Sequence, residues 1–367
     1  MERKISVPSH ARLRTRSFLR GSTLLIVLLV VPVRAQWELV WEDDFDGTDL
    51  DLSRWTFERG DGCPDLCGWG NGELEYYRAE NATVADGLLT ISAREESIMG
   101  RDYTSSRLRT LEKGDWKYGR FEMRARMPQG RGLWPAFWML PTDGVYGGWA
   151  ASGEIDILEH WGHEPSKIHG TLHYGGEYPS NRYSSRTFAL AEGVFADGFH
   201  VFAVEWEPEE IRWYADGENY HTLRAWSSSA SPFPAPFDQR FHILLNVAVG
   251  GGPPGPPNED TVFPQALVID YVRVYQDAER RRRASPPNVS LDAALDGAGL
   301  TLAATAGTAD GVIQMVEFLQ GGAVVATDVE EPYELALPDV SDGCYSFAAR
   351  ATDRDGLVPC HRIGLVL

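Results

Sequence analysis

Patterns of helical period are scarce in this sequence, and so are basic residues, cysteines and long apolar runs. Each scarcity excludes something. Lys and Arg number 34 against 53 Asp and Glu, a formal net charge of −19. Nucleic acid and anionic membrane are therefore poor partners. The four cysteines, Cys63, Cys67, Cys344 and Cys360, have no further Cys or His at zinc-site spacing. No G-x-S-x-G and no Gly-rich phosphate loop occurs, which removes two large enzyme classes. The apolar run STLLIVLLVVPV, residues 22–33, is short for a membrane span.

Trp, Gly and Pro are abundant instead, and with so little helical patterning they point to an all-β protein with many turns. The N-terminus reads as a signal peptide over residues 1–35: a basic stretch, the apolar run, and VRA ending at Ala35. The alternative is an uncleaved anchor. Cleavage would start the mature chain near Gln36 or Trp37 and export it, to the medium or to the periplasm and cell envelope, with no membrane partner afterwards. Residues 1–35 carry seven Lys/Arg and one Asp/Glu, so the remainder is more acidic still, at −25. A neutral substrate suits such a surface better than a sulfated polymer. An even cysteine count in an exported chain points to two disulfides. Three connectivities are open, of which local pairing, Cys63 with Cys67 and Cys344 with Cys360, is the simplest.

All 12 Trp lie between Trp37 and Trp226. Residues 36–276 form one block of strand patterns: GRFEMRARM and FHVFAVEWEPEEIRWYADG alternate apolar and polar residues, with hairpin turns expected at EPEE and ADG. RFHILLNVAVGG and ALVIDYVRVYQ read as buried strands. About a dozen strands in one block imply a sandwich or jelly roll. DAERRRRASPPN opens a charged linker, residues 277–287. Residues 288–367 repeat short strands at regular spacing and fit an immunoglobulin-like β-sandwich. NAT at Asn81 and NVS at Asn288 are glycosylation acceptors if the host modifies them.

The chemistry concentrates in GEIDILEHWG, residues 153–162. Alternation puts Glu154 and Asp156 on one face and Ile155 and Ile157 on the other. Continued strictly, it would bury Glu159 in the core, where an unpaired carboxylate is costly. One extra residue, a β-bulge, returns Glu159 to the acidic face. Three carboxylates in a row raise at least one pKa, as a general acid near neutral pH requires. Two carboxyls about 5–5.5 Å apart would suit glycoside hydrolysis with retention. An exposed acidic strand or a calcium site is the bland alternative. The surroundings favour catalysis: Trp134, Trp138, Trp149 and Trp161 flank the acids, and sugar C–H faces stack on such rings. Trp206 and Trp213 read instead as core.

These residues resemble the E-x-D-x-x-E signature of glycoside hydrolase family 16. LVWEDDFDG, GWGNGELEYY, YTSSRLRT, YGRFEMRARMPQGRGLWPAFWMLP and IHGTLHYGG resemble the bacterial laminarinases within it, which cut β-1,3-glucan. The resemblance covers residues 37–276 and implies a concanavalin-like β-jelly-roll sandwich with a concave cleft. It implies Glu154 as nucleophile, Glu159 as acid/base and Asp156 between them. Cleft positions carry over to Asn71, Arg107, Trp134, Trp138 and His173, and Trp149 joins them as a substrate-binding residue by its place beside the acids. The x-x-E spacing separates the chain from lichenases and xyloglucan enzymes and leaves agarases and carrageenases open.

Catalysis of this type needs no cofactor. The resemblance also implies a structural calcium at Asp44, Gly87 and Asp270, with Asp44 where relatives often have Glu. His169 and His173 share a strand face at metal-ligand spacing, but no third ligand is evident in the sequence. The segment after Asn288 resembles the immunoglobulin-like modules that trail secreted hydrolases, and without Trp it reads as a spacer. The expected partner is β-glucan, and the expected state is a monomer. Two other readings remain: a mixed-linkage β-1,3-1,4-glucan or other polysaccharide hydrolase, and a non-catalytic glucan-binding protein.

Overall fold

The computed structural model describes residues 35–278, 288–296, 299–307, 313–338, 340–341, 343–353 and 360–366. The expected signal peptide up to residue 34 and residues 279–287 of the expected linker lie outside them.

Residues 37–277 form two facing sheets, antiparallel but for the edge strand Glu75–Tyr77, which pairs parallel with Arg101–Ser105. One has ten strands. Its path runs Glu218–Leu223, Glu210–Ala215, His200–Glu207, Gly119–Arg126, Gln265–Asp277, Leu88–Ile98, Arg101–Ser105 and Glu75–Tyr77. The opening strand Trp37–Asp43 pairs with the closing strand Gln265–Asp277. The second sheet has eight strands. Its path runs Asn181–Ala189, Lys167–Gly175, Glu154–Glu159, Leu133–Pro141, Phe241–Val249, Arg107–Arg109 and Thr56–Glu58. The hairpins at EPEE and ADG fall where the sequence puts them, with Glu207 opposite Glu210 and Ala215 opposite Glu218.

Alternation explains the layer between the sheets. Phe121, Met123 and Ala125 point inward from Gly119–Arg126 while their neighbours stay half-exposed. Phe241–Val249 is buried on both faces, as a central strand covered by the core on one side and cleft residues on the other. Trp206 and Trp213 are core residues with no exposure, as expected.

Residues 288–366 carry a three-stranded sheet (Asn288–Asp296, Gly299–Gly307, Tyr333–Leu337) and a four-stranded sheet (Ala323–Asp328, Ile313–Gln320, Cys344–Asp353, Cys360–Val366). They share a core of their own around Leu302, Val316, Phe318 and Phe347.

Two expectations are corrected. Cys63 and Cys67 form a disulfide, but Cys344 is a free, exposed thiol. Its strand pairs with the last one so that Cys344 faces Val366 and Cys360 faces Arg350. Six register steps at about 3.3 Å put roughly 20 Å between the two, far beyond disulfide reach. Asn81 is buried, and its amide donates to Ser92 O and Thr104 Oγ1, so the folded chain offers no glycan acceptor there.

Candidate active site

The acidic strand Glu154–Glu159 lies between Leu133–Pro141 and Lys167–Gly175. Its register breaks on both sides. Against the first neighbour, consecutive Phe137 and Trp138 face Leu158 and Asp156. Against the second, Asp156 faces Thr171 and Glu159 faces His169, three steps on one strand matching two on the other. This is the expected β-bulge, and Ile155, Ile157 and Leu158 all enter the core.

A bulge leaves backbone groups without ladder partners. Here the Asp156 carbonyl accepts the indole N–H of Trp213, 2.8 Å away, from the opposite sheet. Gly170, across from the bulge, makes room for that indole. A Cβ there would meet Trp213 Cδ1 and the Tyr220 hydroxyl, each at 2.5 Å.

The cleft above this strand has a volume of about 1180 Å³. It is lined by Glu154, Asp156 and Glu159, and by Asn71, Arg107, Trp134, Trp138, Trp149 and His173. Every residue assigned to catalysis or to the cleft from the sequence thus borders one cavity. Each outer carboxylate receives its own indole donor. Trp149 Nε1 donates to Glu154 Oε2 at 2.8 Å, and Trp134 Nε1 donates to Glu159 Oε1 at 3.1 Å. Thr171 Oγ1 adds a bond to Glu159 Oε2 at 3.2 Å. His173 Nε2 stands 3.7 Å from Glu154 Oε1 and 3.4 Å from Asp156 Oδ2.

Burial dominates the ionisation of this row. Glu154 is pushed up to about 8 by burial and then by the Asp156 charge, against the pull of His173 and the Trp149 N–H. Burial, then Glu159, drives Asp156 well above the ordinary carboxylate range. Glu159 is raised by burial and held back by His173, Thr171 and Trp134. Three charges cannot coexist here at neutral pH.

The cleft holds residues that sequence reading did not single out. The Arg107 guanidinium lies against both Trp69 and Trp138, their ring centroids 4.5 and 4.8 Å from its carbon, and Glu58 pairs with Arg107. Trp138 Nε1 donates to Asn246 Oδ1 at 2.8 Å. Asn246 in turn donates to Tyr77 OH, and Tyr77 to Glu73. Glu73 accepts from Asn71 at 3.0 Å. The signal for Trp69 was the GWGN stretch that supplied Asn71. Glu73 and Tyr77 belong to the same GWGNGELEYY stretch, whereas Asn246 has no local signal, because its partners Trp138 and Tyr77 are distant in sequence.

The residues assigned to calcium sit elsewhere. Asp44 pairs with Arg273 at 3.1 Å, and Asp270 pairs with Arg124. Both carboxylates thus already face a guanidinium group. His169 stacks on Trp161, centroids 3.8 Å apart. His173 finds the further ligand types that the sequence did not reveal, in Glu154 and Asp156 on the adjacent strand.

A two-sheet jelly roll whose cleft mixes indole rings with a bulged row of acids belongs to the class of all-β glycoside hydrolases. The family model for glycosyl hydrolases family 16 matches residues 73–271, and the chain belongs to that family. It is 43% identical over 265 residues to the glucan endo-1,3-beta-glucosidase A1 of Niallia circulans, covering 67% of this chain and 39% of that protein's length. It is 47% identical over 253 residues to a beta-glucanase of Rhodothermus marinus, covering 66% of this chain and 86% of the relative. Among solved structures, the catalytic domain of an endo-1,3-beta-glucanase (laminarinase) from Thermotoga petrophila matches with a TM-score of 0.61 and 42% identity. That match covers 67% of this chain and 100% of the other.

Proposed function

We propose that this protein is an exported endo-β-1,3-glucanase that cleaves its substrate with retention, Glu154 acting as nucleophile and Glu159 as acid/base. The observation that carries the reading is the bulge. It brings Glu154 and Glu159 to one cleft wall and gives each carboxyl a separate indole N–H.

The proton distribution follows from burial. Asp156 is only 3% exposed and its Oδ2 has no hydrogen-bond partner, so Asp156 is the cheapest place to keep a proton. With Asp156 neutral, burial alone is left as the main cause that raises Glu154, and the Trp149 N–H and His173 offset it in favour of the charged form. Glu159, raised by burial, keeps its proton for the leaving group.

In the first half-reaction Glu154 attacks the anomeric carbon while the glycosidic C–O bond breaks. The Glu159 proton passes to the departing oxygen, and a glycosyl ester forms on Glu154. In the second, Glu159 takes a proton from water, the water oxygen attacks the anomeric carbon, and Glu154 leaves as carboxylate. Two inversions give net retention. No metal or organic cofactor takes part in these steps.

The substrate rests on the relatives named for 1,3-β-glucan and on the cleft's chemistry. Rings at Trp69, Trp134, Trp138 and Trp149 offer stacking faces for a neutral polymer. Residues 1–35 support export by Ala35 cleavage, and residues 288–366 support an immunoglobulin-like spacer. The deciding experiment is a polysaccharide panel with product analysis. Laminarin is expected to yield short oligosaccharides faster than mixed-linkage glucan or agarose. Glu154→Gln and Glu159→Gln are each expected to abolish cleavage with the fold intact. A normal rate in either variant removes that residue from the mechanism, and preference for another polymer overturns the substrate.

A further inference from the structure

We propose that the same cleft wall forms a Zn²⁺ site from His173 Nε2, Asp156 Oδ2 and Glu154 Oε1, through which zinc inhibits the enzyme. Donor atoms of the three residues lie within 4.8 Å of one another. His173 Nε2 is 3.4 Å from Asp156 Oδ2 and 3.7 Å from Glu154 Oε1. A tetrahedral ion with ligands at about 2.0–2.1 Å separates its donors by about 3.3–3.4 Å. The observed spacings therefore close on zinc with small side-chain adjustments.

An acidic pair beside a histidine would not suffice alone. The second observation is the Asp156 oxygen itself. Its residue is almost wholly buried, and Oδ2 faces His173 with no hydrogen bond from any group. A buried oxygen without a donor is met either by a proton, as on neutral Asp156, or by a cation that takes that proton's place. The imidazole selects among cations. Calcium and magnesium take oxygen ligands, whereas a nitrogen with two carboxylates suits zinc and leaves a fourth position open to the cleft.

The strength is bounded from the outer contacts. His173 is flanked by Trp149 and Tyr183, with centroids 5.4 and 5.8 Å away, which orient the ring. Its Nδ1 has no hydrogen-bond partner. Resident zinc sites anchor that second nitrogen, and losing the anchor costs about 10–100-fold in affinity. The site is thus a reversible inhibitory one, not a cofactor centre. Binding releases whatever protons the ligands hold.

The test is calorimetric titration of the full chain with ZnCl₂ near pH 7, with MgCl₂ and CaCl₂ in parallel. The wild type is expected to take up one Zn²⁺ per chain, and neither of the other ions should compete for it. His173→Ala and Asp156→Asn, checked for wild-type circular dichroism, are each expected to weaken zinc at least about tenfold. No saturable zinc binding by the wild type overturns the proposal, and so does an unchanged affinity in both variants. If the variants do not fold, the wild-type titration decides alone. The inhibition, unlike the binding, rests on Glu154 being the nucleophile. Zinc should block laminarin hydrolysis competitively and EDTA restore it. Saturable binding without inhibition removes the inhibitory role and counts against that nucleophile, not against the ligands.

Discussion

Trp213, a core residue of the ten-stranded sheet, donates its indole N–H to the carbonyl oxygen of Asp156 at the bulge of the facing sheet, 2.8 Å away. The bond ties the interior of the sandwich to the one irregular point of the acidic strand. Replacing Trp213 with Phe leaves a buried acceptor unmet, a cost of about 1–3 kcal/mol. Melting should fall by roughly 2–10 °C, and kcat on laminarin should fall by more than the lost stability explains, because the bulge sets the spacing of Glu154 and Glu159. A variant that melts lower but keeps full kcat would show that the bulge holds without the indole.

Gly170 gives the complementary prediction. A methyl group there meets Trp213 and Tyr220 at 2.5 Å, so Gly170→Ala must push the indole away from Asp156. Its activity loss should match that of Trp213→Phe, and the double variant should be no worse than the more affected single one. Additive losses in the double-variant cycle would mean that the two residues act separately.

How far the sequence reveals this site differs from residue to residue. The acidic strand and its bulge are legible because Leu158 interrupts the alternation between Asp156 and Glu159, and only an extra residue restores it. Trp134, Trp138 and Trp149 are legible because they sit within twenty residues of the acids. Trp213 is not: it reads as core, which it is, and its polar role depends on which strand of the other sheet crosses beneath Asp156. The same holds for His173, whose neighbours Glu154 and Asp156 are set by register, and for Cys344 and Cys360, whose closeness in sequence says nothing about their offset on paired strands. Asp44 and Asp270 fit a calcium pattern by type and position, and their pairing with Arg273 and Arg124 depends on strands that the local sequence does not bring together.

Trp149 should tune the acid limb of the pH–rate profile. Its N–H stabilises the ionised form of Glu154, so Trp149→Phe raises the Glu154 pKa and moves the acid limb of kcat/KM to higher pH. Trp134→Phe removes a donor that likewise lowers Glu159, and should shift the alkaline limb upward. Unmoved limbs in both variants would assign the profile to other groups.

The acidic row should cost stability as pH rises. Glu154 is raised from 4.5 to about 8 in the folded state. A raised carboxyl contributes stability that is complete below about pH 4.5 and is lost as pH climbs through about 8. Glu154→Gln cannot ionise, so it should melt above the wild type near pH 8 and level with it near pH 4. A variant no more stable at pH 8 would contradict the burial cost assigned to Glu154.

Arg107 tests the opposite wall of the cleft. Its guanidinium lies against Trp69 and Trp138 and pairs with Glu58. Arg107→Lys keeps the charge but loses the planar stack. KM for laminarin should rise several-fold with kcat little changed, since both indoles lose their spacer while the acids stay in place. An unchanged KM would show that the stack does not shape the substrate's bed.

The central claim is that one bulged strand presents Glu154 and Glu159 to the same sugar ring as nucleophile and acid/base. Proton NMR of laminarin hydrolysis tests it most directly, by following the first reducing ends released before mutarotation. The β-anomer should appear first and equilibrate to α afterwards. Initial release of the α-anomer would mean inversion, which a covalent step on Glu154 cannot produce.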